Sequence, residues 1–184
     1  MLLMGDEVGR SQGGNNNSWC QNSPLGWMVW DEDHCDLELK QFLQRLLRLR
    51  QALPQLSNPL VQPRESNRKS AEQPSEQRSD LWRQWHGVNL AKPDWAAWSR
   101  TTATSLHRGS RGALLWMGFN AYKESLSFEL PVPASPWKRV IDTSLPCPKD
   151  FPAEPASFSG VEIPLQSRSF VLLLAEEEIS GVRL

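Results

Sequence analysis

Hydrophobic and polar positions divide the 184-residue chain into stretches of different period. Over residues 36–53 the apolar side chains Leu39, Phe42, Leu43, Leu46, Leu47 and Leu53 recur three or four apart, with Lys40, Arg45, Arg48 and Arg50 on the other side. That spacing predicts one amphipathic helix with a stripe packed on a core. Asp36, or Asp33 a turn earlier, is placed to cap it, the cations gather where the helix dipole favours them, and Pro54 stops it. From Leu81 the pattern becomes strand-like. Residues 114–120 are a continuous apolar run, 126–130 alternate, 137–142 and 161–165 read as further strands, and 169–175 closes the series. Proline-rich connections fill 131–164 and no helical period intervenes. The expectation is a mostly β fold whose C-terminal part is an antiparallel sandwich.

The remaining stretches lack a regular period. Leu2, Leu3 and Met4 read as a short buried strand. Residues 5–30 then form a long irregular loop with Gly13-Gly14 and Asn15-Asn16-Asn17 as turn formers. Long loops in compact domains are usually functional or disordered. Trp19, Trp27 and Trp30 argue against disorder, which is poor in aromatic residues. Residues 57–80 are polar and contain Pro59, Pro63 and Pro74, the composition of a surface insertion or mobile linker. Their basic cluster, Arg64, Arg68 and Lys69, is balanced by Glu65, Glu72 and Glu76.

Charge narrows the function. Twenty Lys and Arg against 21 Asp and Glu leave a net charge of −1, which argues against a nucleic-acid partner held by phosphate neutralisation. No apolar run approaches the ~18–20 residues needed to span a bilayer, so no membrane partner is expected. Cys20 and Cys35 are spaced so that they could bridge, but three cysteines without a CxxC motif read better as reduced thiols. His34 beside Cys35 suggests a metal corner, yet His86 and His107 lack ligand spacing, and no metal or cofactor is expected. Nine Trp against one Tyr is unusual. It implies either a Trp-rich core or a ligand with flat apolar faces, such as a sugar.

Candidate chemistry is sparse. Asp6-Glu7 could suggest the carboxylate pair of a glycoside hydrolase, but adjacent residues on a strand point to opposite faces and cannot both reach one bond. Asp31, Glu32, Asp33 and Asp36 lack the glycine and closing Glu of a calcium loop and sit where a helix start favours acids. Gly9, Gly13 and Gly14 do not make a dinucleotide fingerprint, and no GxSxG elbow occurs.

One stretch is specific. Gly5-Asp6-Glu7-Val8-Gly9-Arg10-Ser11-Gln12-Gly13-Gly14-Asn15-Asn16-Asn17-Ser18-Trp19-Cys20-Gln21-Asn22 closely resembles the segment after the eighth barrel strand of isoamylase-type glycogen and starch debranching enzymes. Trp27-Met28-Val29-Trp30-Asp31 resembles the W-x-x-W element that follows there. Trp85-His86-Gly87-Val88, Pro93-Asp94-Trp95, Phe119-Asn120-Ala121-Tyr122 and Trp137-Lys138-Arg139-Val140-Ile141-Asp142-Thr143 are similar to the family's C-terminal signatures, in the same order.

The resemblance implies an architecture. Residues 1–56 would be the last strand, active-site loop and last helix of a (β/α)8 barrel, and 57–80 a variable insertion. Residues 81–100 would be a Trp-rich connection, and 101–184 the C-terminal β-sandwich. It implies hydrolysis of α-1,6 branch linkages in glycogen or an amylopectin-like glucan, by an Asp nucleophile, a Glu acid/base and a second Asp. Those carboxylates follow earlier barrel strands, so no catalytic residue is carried onto this chain, and the chain alone is expected to be inactive. Asp6, Glu7, Arg10, Asn15, Asn16, Asn17 and Trp19 match the loop motif and would bind or frame the glucan. The implied partners are the branched α-glucan and the missing upstream barrel, in a bacterial cytoplasm or a plastid. A non-catalytic carbohydrate-binding or regulatory sandwich, or half of a split enzyme, is the other reading. Of the remaining tryptophans, Trp82, Trp85, Trp95, Trp98, Trp116 and Trp137 are expected mostly in the core or at an interface, with exposed rings in a plane as the mark of a sugar platform.

Overall fold

A computed structural model describes residues 2–31, 35–53, 55, 62–63 and 80–179. The chain divides into two compact units, Met1–Arg48 and Leu49–Leu184.

In the first unit, Leu2, Leu3 and Met4 are exposed coil rather than a buried strand. A strand needs a ladder partner for its backbone N–H and C=O groups, and the described residues of this unit supply none. Asp6–Val8 instead form one 3₁₀ turn between left-handed Gly5 and Gly9. Val8 is buried, and its carbonyl accepts the N–H of Asp36 at 3.0 Å. This bond joins the turn to the start of α1 (Leu37–Ala52). Asp36 is the N-cap, its Oδ1 accepting Leu39 N–H at 2.8 Å. Asp33 and Pro54 lie outside the described residues, as does nearly all of 57–80.

The α1 stripe is less buried than its pattern implies. Leu39 and Leu47 are exposed, and Phe42, Leu43 and Leu46 are half-buried. Only Leu49, in the last turn, and Leu53 beyond it are fully enclosed, and both belong to the second unit. Helical period specifies a stripe, and a covering layer is a separate requirement that the described part of the first unit does not meet.

The second unit is mostly antiparallel β. Its strands are β1 (Gln62–Pro63), β2 (Leu81–His86), β3 (Thr101–Arg108), β4 (Ala113–Asn120), β5 (Leu126–Glu129), β6 (Trp137–Asp142), β7 (Ala156–Phe158), β8 (Glu162–Leu165) and β9 (Ser169–Ala175), followed by the short α2 (Glu176–Ile179). The larger sheet runs β1-β2-β3-β4-β9-β6-β7, with only the β1–β2 pair parallel, and β5-β8 form a second sheet. The expected sandwich is therefore present. β1, β2, β3 and β7 form where the apolar pattern singles out no separate strand, β1 within the stretch read as an insertion and β2 within the Trp-rich connection.

Register explains the sequence of β4. Ala103, Gly118 and Val171 form one rung, and Ser105, Trp116 and Leu173 the next, on the face that meets the small sheet. On the opposite face Leu106, Leu115 and Leu174 form a rung that is also buried. A strand covered on both faces reads as a continuous apolar run rather than an alternation. That face opens at its far end, where Phe119 and Phe170 pack with centroids 4.7 Å apart and Phe119 stays exposed.

The core between the sheets joins Trp116, Trp137, Val171 and Leu173 to Phe128, Ile163 and Leu165. Trp116 is fully buried, edge-on to Phe128 at 6.1 Å and 73°. Its ring occupies the space beside Gly118, where a Cβ would lie 2.2 Å from Trp116 Cη2 and 2.9 Å from Leu165 Cδ2. Glycine in a strand interior ordinarily weakens it, and here it admits the indole. Gly118→Ala is expected to cost about 1–3 kcal/mol through overpacking. Urea unfolding of the full chain should show a lower midpoint with an unchanged slope, and an unshifted midpoint would contradict this packing.

Candidate functional site

The loop over residues 5–30 folds largely on its own polar side chains. Asp6 Oδ2 accepts Leu3 N–H at 3.3 Å, and Glu7 Oε2 accepts Gly5 N–H at 2.8 Å. Arg10 donates from Nη1 to the Met4 carbonyl at 3.4 Å. Its stem lies against Gly5, where a Cβ would sit 2.7 Å from Arg10 Cδ. Asp6, Glu7 and Arg10 therefore gather around one turn. Asp6 and Glu7 do not alternate along a strand, and each carboxylate is engaged with local backbone.

A second group follows. Asn15 Oδ1 accepts Asn17 N–H at 2.9 Å, and Asn17 Oδ1 accepts Trp19 N–H at 3.3 Å, two successive Asx turns. Asn15 also donates from Nδ2 to Gln21 Oε1 at 3.2 Å. With its amide turned to satisfy its neighbours, Gln12 accepts from Arg10 Nη2 and Ser18 Oγ and donates to the Asn15 carbonyl. Gln12 thus ties the two groups together. Asn16 and Asn17 are exposed, and Trp19 projects with 87% of its surface open. The turns present one flat aromatic ring beside amides that can hydrogen-bond hydroxyl groups, a combination suited to a sugar ring.

The second unit holds a different constellation. His86 Nε2 and His107 Nε2 each lie 2.7 Å from Ser105 Oγ, and Ala91 N–H donates to His86 Nδ1 at 2.8 Å. The Trp82 ring stacks on His107 at 3.9 Å, and its Nε1–H donates to the Gly109 carbonyl at 3.0 Å. Trp82, Gln84, His107, Arg111 and Val132 line a pocket of about 650 Å³. Sequence reasoning weighed the two histidines only as metal ligands and missed this group. The available signal was Ser105 and His107 two apart on one strand, hence on one face. Among the described residues, no group of three or more His, Cys, Asp or Glu could hold a metal ion. Cys20 and Cys35 are not bridged.

The tryptophans divide. Trp116 and Trp137 are buried in the core, and their indole N–H groups have no hydrogen-bond partner among the described residues. The area these rings bury must exceed that cost. Trp95 and Trp98 are 67% and 78% exposed, and Trp95 stands edge-on to Trp85 at 5.6 Å. This contrast is measurable. Trp19→Ala should change unfolding free energy by less than about 0.5 kcal/mol, as for other exposed sites. Trp137→Ala should cost about 3–5 kcal/mol. Chemical denaturation of both variants checks the pair.

Residues 84–171 match the family described as Isoamylase 1-3, C-terminal. The chain is 31% identical over 152 residues to Isoamylase 1, chloroplastic, of Oryza sativa subsp. japonica, which is 82% of this chain and 17% of the rice protein. It is 50% identical over 56 residues to the glycogen debranching enzyme of Pectobacterium atrosepticum, and 54% identical over 56 residues to that of Yersinia enterocolitica. Those matches cover 30% of this chain and 8% of each bacterial protein. The chain thus spans a small fraction of the relatives' length. Among the described residues, no helix is long and apolar enough to cross a membrane. With a family match over the sandwich and relatives of one kind in plants and bacteria, the chain belongs to the isoamylase-type debranching enzymes and corresponds to a C-terminal portion of them.

Proposed function

We propose that this chain supplies the sandwich and the last active-site loop of an enzyme that hydrolyses α-1,6 branch linkages in glycogen or an amylopectin-like glucan. The observation that carries the reading is the family match over residues 84–171. The loop supports it chemically: Trp19 offers a stacking face, and Asn15, Asn16, Asn17 and Arg10 offer hydrogen bonds to hydroxyl groups. Asp6 and Glu7 hold the turn that positions Arg10.

Retaining glycoside hydrolysis needs two carboxyl groups ~5–5.5 Å apart on opposite sides of the scissile bond. By the family resemblance, the three catalytic carboxylates follow earlier barrel strands, to which no segment of residues 1–184 is matched. The chain alone therefore binds glucan without cleaving it, and an upstream barrel completes the site. The rice relative is named chloroplastic and the debranching enzymes are bacterial, which supports a plastid or a bacterial cytoplasm as its compartment. A purely carbohydrate-binding role is the second reading, favoured by the exposure of Trp19, Trp95 and Trp98.

Two measurements test this. The purified chain incubated with glycogen should release no new reducing ends, whereas adding the upstream portion of a relative should restore release. Debranching by the chain alone would overturn the fragment reading. Retardation on a glycogen-containing gel, without restored activity in the mixture, would favour the binding role.

A further inference from the structure

The buried histidines take no part in the proposed reaction, yet the hydrogen bonds of His86 have a definite direction. A backbone N–H can only donate, so His86 Nδ1, which accepts from Ala91, carries no proton. The neutral ring is then protonated at Nε2 and donates to Ser105 Oγ. Ser105 Oγ also lies 2.7 Å from His107 Nε2. The proton order from Ala91 N–H through His86 to Ser105 is complete only when the His86 ring is neutral. His86 and Ser105 are 1% and 0% exposed, so no water replaces a lost partner cheaply.

The Ala91 end of this chain is a tight loop. At Gly87 a Cβ would lie 2.5 Å from the Lys92 carbonyl oxygen. Ala91 is held at φ 56°, a conformation uncommon for a residue with a Cβ. Leu90 N–H donates to Glu129 Oε2 at 2.8 Å. His86 and Glu129 thus clasp residues 87–92 from two sides, and the chain runs on directly to Trp95, edge-on to Trp85.

We propose that His86 is an acid-released latch: protonation at Nδ1 expels the Ala91 N–H, opens the 87–92 loop and unseats Trp95 from Trp85 while the sandwich core stays folded. This is independent of the glucan reading. Burial first, and then the proximity of His107, lowers the His86 pKa from 6.5 to about 4. The closed loop therefore resists the proton more than the open one does. Closure is complete above pH 6.5 and weakens as pH falls toward 4, by roughly two to three orders of magnitude in total. The titratable groups facing the latch are His107 on β3 and Glu129 on β5. Glu129→Gln keeps an oxygen for the Leu90 N–H and removes that carboxylate from the titration.

The test is an NMR titration of the full chain and its Glu129→Gln variant, following the histidine ring nitrogens and the Ala91 amide. At pH 7, His86 should be the Nε2–H tautomer. On acidification in both proteins, the Ala91 amide should lose its hydrogen-bonded shift together with His86 protonation, at a midpoint well below 6. The amides of Trp116 and Leu173 should persist through that step. An Nδ1–H tautomer at His86, titration near 6.5, an Ala91 amide unmoved by His86 protonation, or simultaneous loss of the Trp116 amide would each overturn the latch.

Discussion

The second unit depends on one act of packing, the burial of the Trp116 indole between the sheets. The ring projects from the middle of the large sheet, meets Phe128 of the small sheet edge-on, and fills the place a side chain at residue 118 would take. A two-stranded sheet such as β5-β8 is marginal by itself. Here it is held because Phe128, Ile163 and Leu165 close over that ring. The residues of one strand are thus specified in pairs: the largest side chain at 116 requires the absence of one at 118. Both sites lie on rungs shared with β3 and β9, so the constraint reaches Ala103, Val171 and Leu173.

The loop in the first unit is built on a different principle. Among its described residues it buries little apolar surface beyond Val8, and its shape comes from short polar side chains that bond to backbone two or three residues away. Such bonds contribute about 1 kcal/mol each, far less than a buried indole. They fix direction rather than stability. On the proposed reading, the carboxylates and amides that bond to their own loop are also the groups offered to a sugar, so framing the loop and contacting a ligand need not be alternatives for Asn15 or Asn17. Each amide retains unused hydrogen-bonding capacity after its Asx turn.

The sequence displayed much of this and concealed some of it for physical reasons. Strands over 137–142 and 169–175 were legible because their apolar runs are bounded by turn residues. The cap at Asp36 was legible because capping is local. Leu2, Leu3 and Met4 misled because hydrophobicity marks a tendency to be covered and does not supply the partner strand. The α1 stripe misled in the same way toward its N-terminal end. β3 was obscured by its own composition, since Thr102 and Thr104 on one face and Ser105 and His107 on the other give it no apolar run. In the loop, Asn15, Asn17 and Trp19 stand out through motif alone, and the Asx turns of the two asparagines through residue type. The His86–Ser105–His107 group was not, because it depends on a register that places β2 beside β3.

The same register joins the polar and apolar halves of the core. Ser105 is the cross-strand partner of Trp116, on the face turned toward the small sheet. A fully buried hydroxyl beside a fully buried indole would be costly if its proton and lone pairs were unused. His86 and His107 both hydrogen-bond to it, and the Trp82 ring covers His107 in turn. Ser105 therefore marks the point on β3 where the dry core gives way to a hydrogen-bonded edge. Replacing that hydroxyl with a methyl group would leave two imidazole nitrogens without their shared partner. Filling the same position with a larger apolar residue would intrude on the imidazoles that flank it. The small hydroxyl is what lets an aromatic core continue into a strand that ends in a clasped loop.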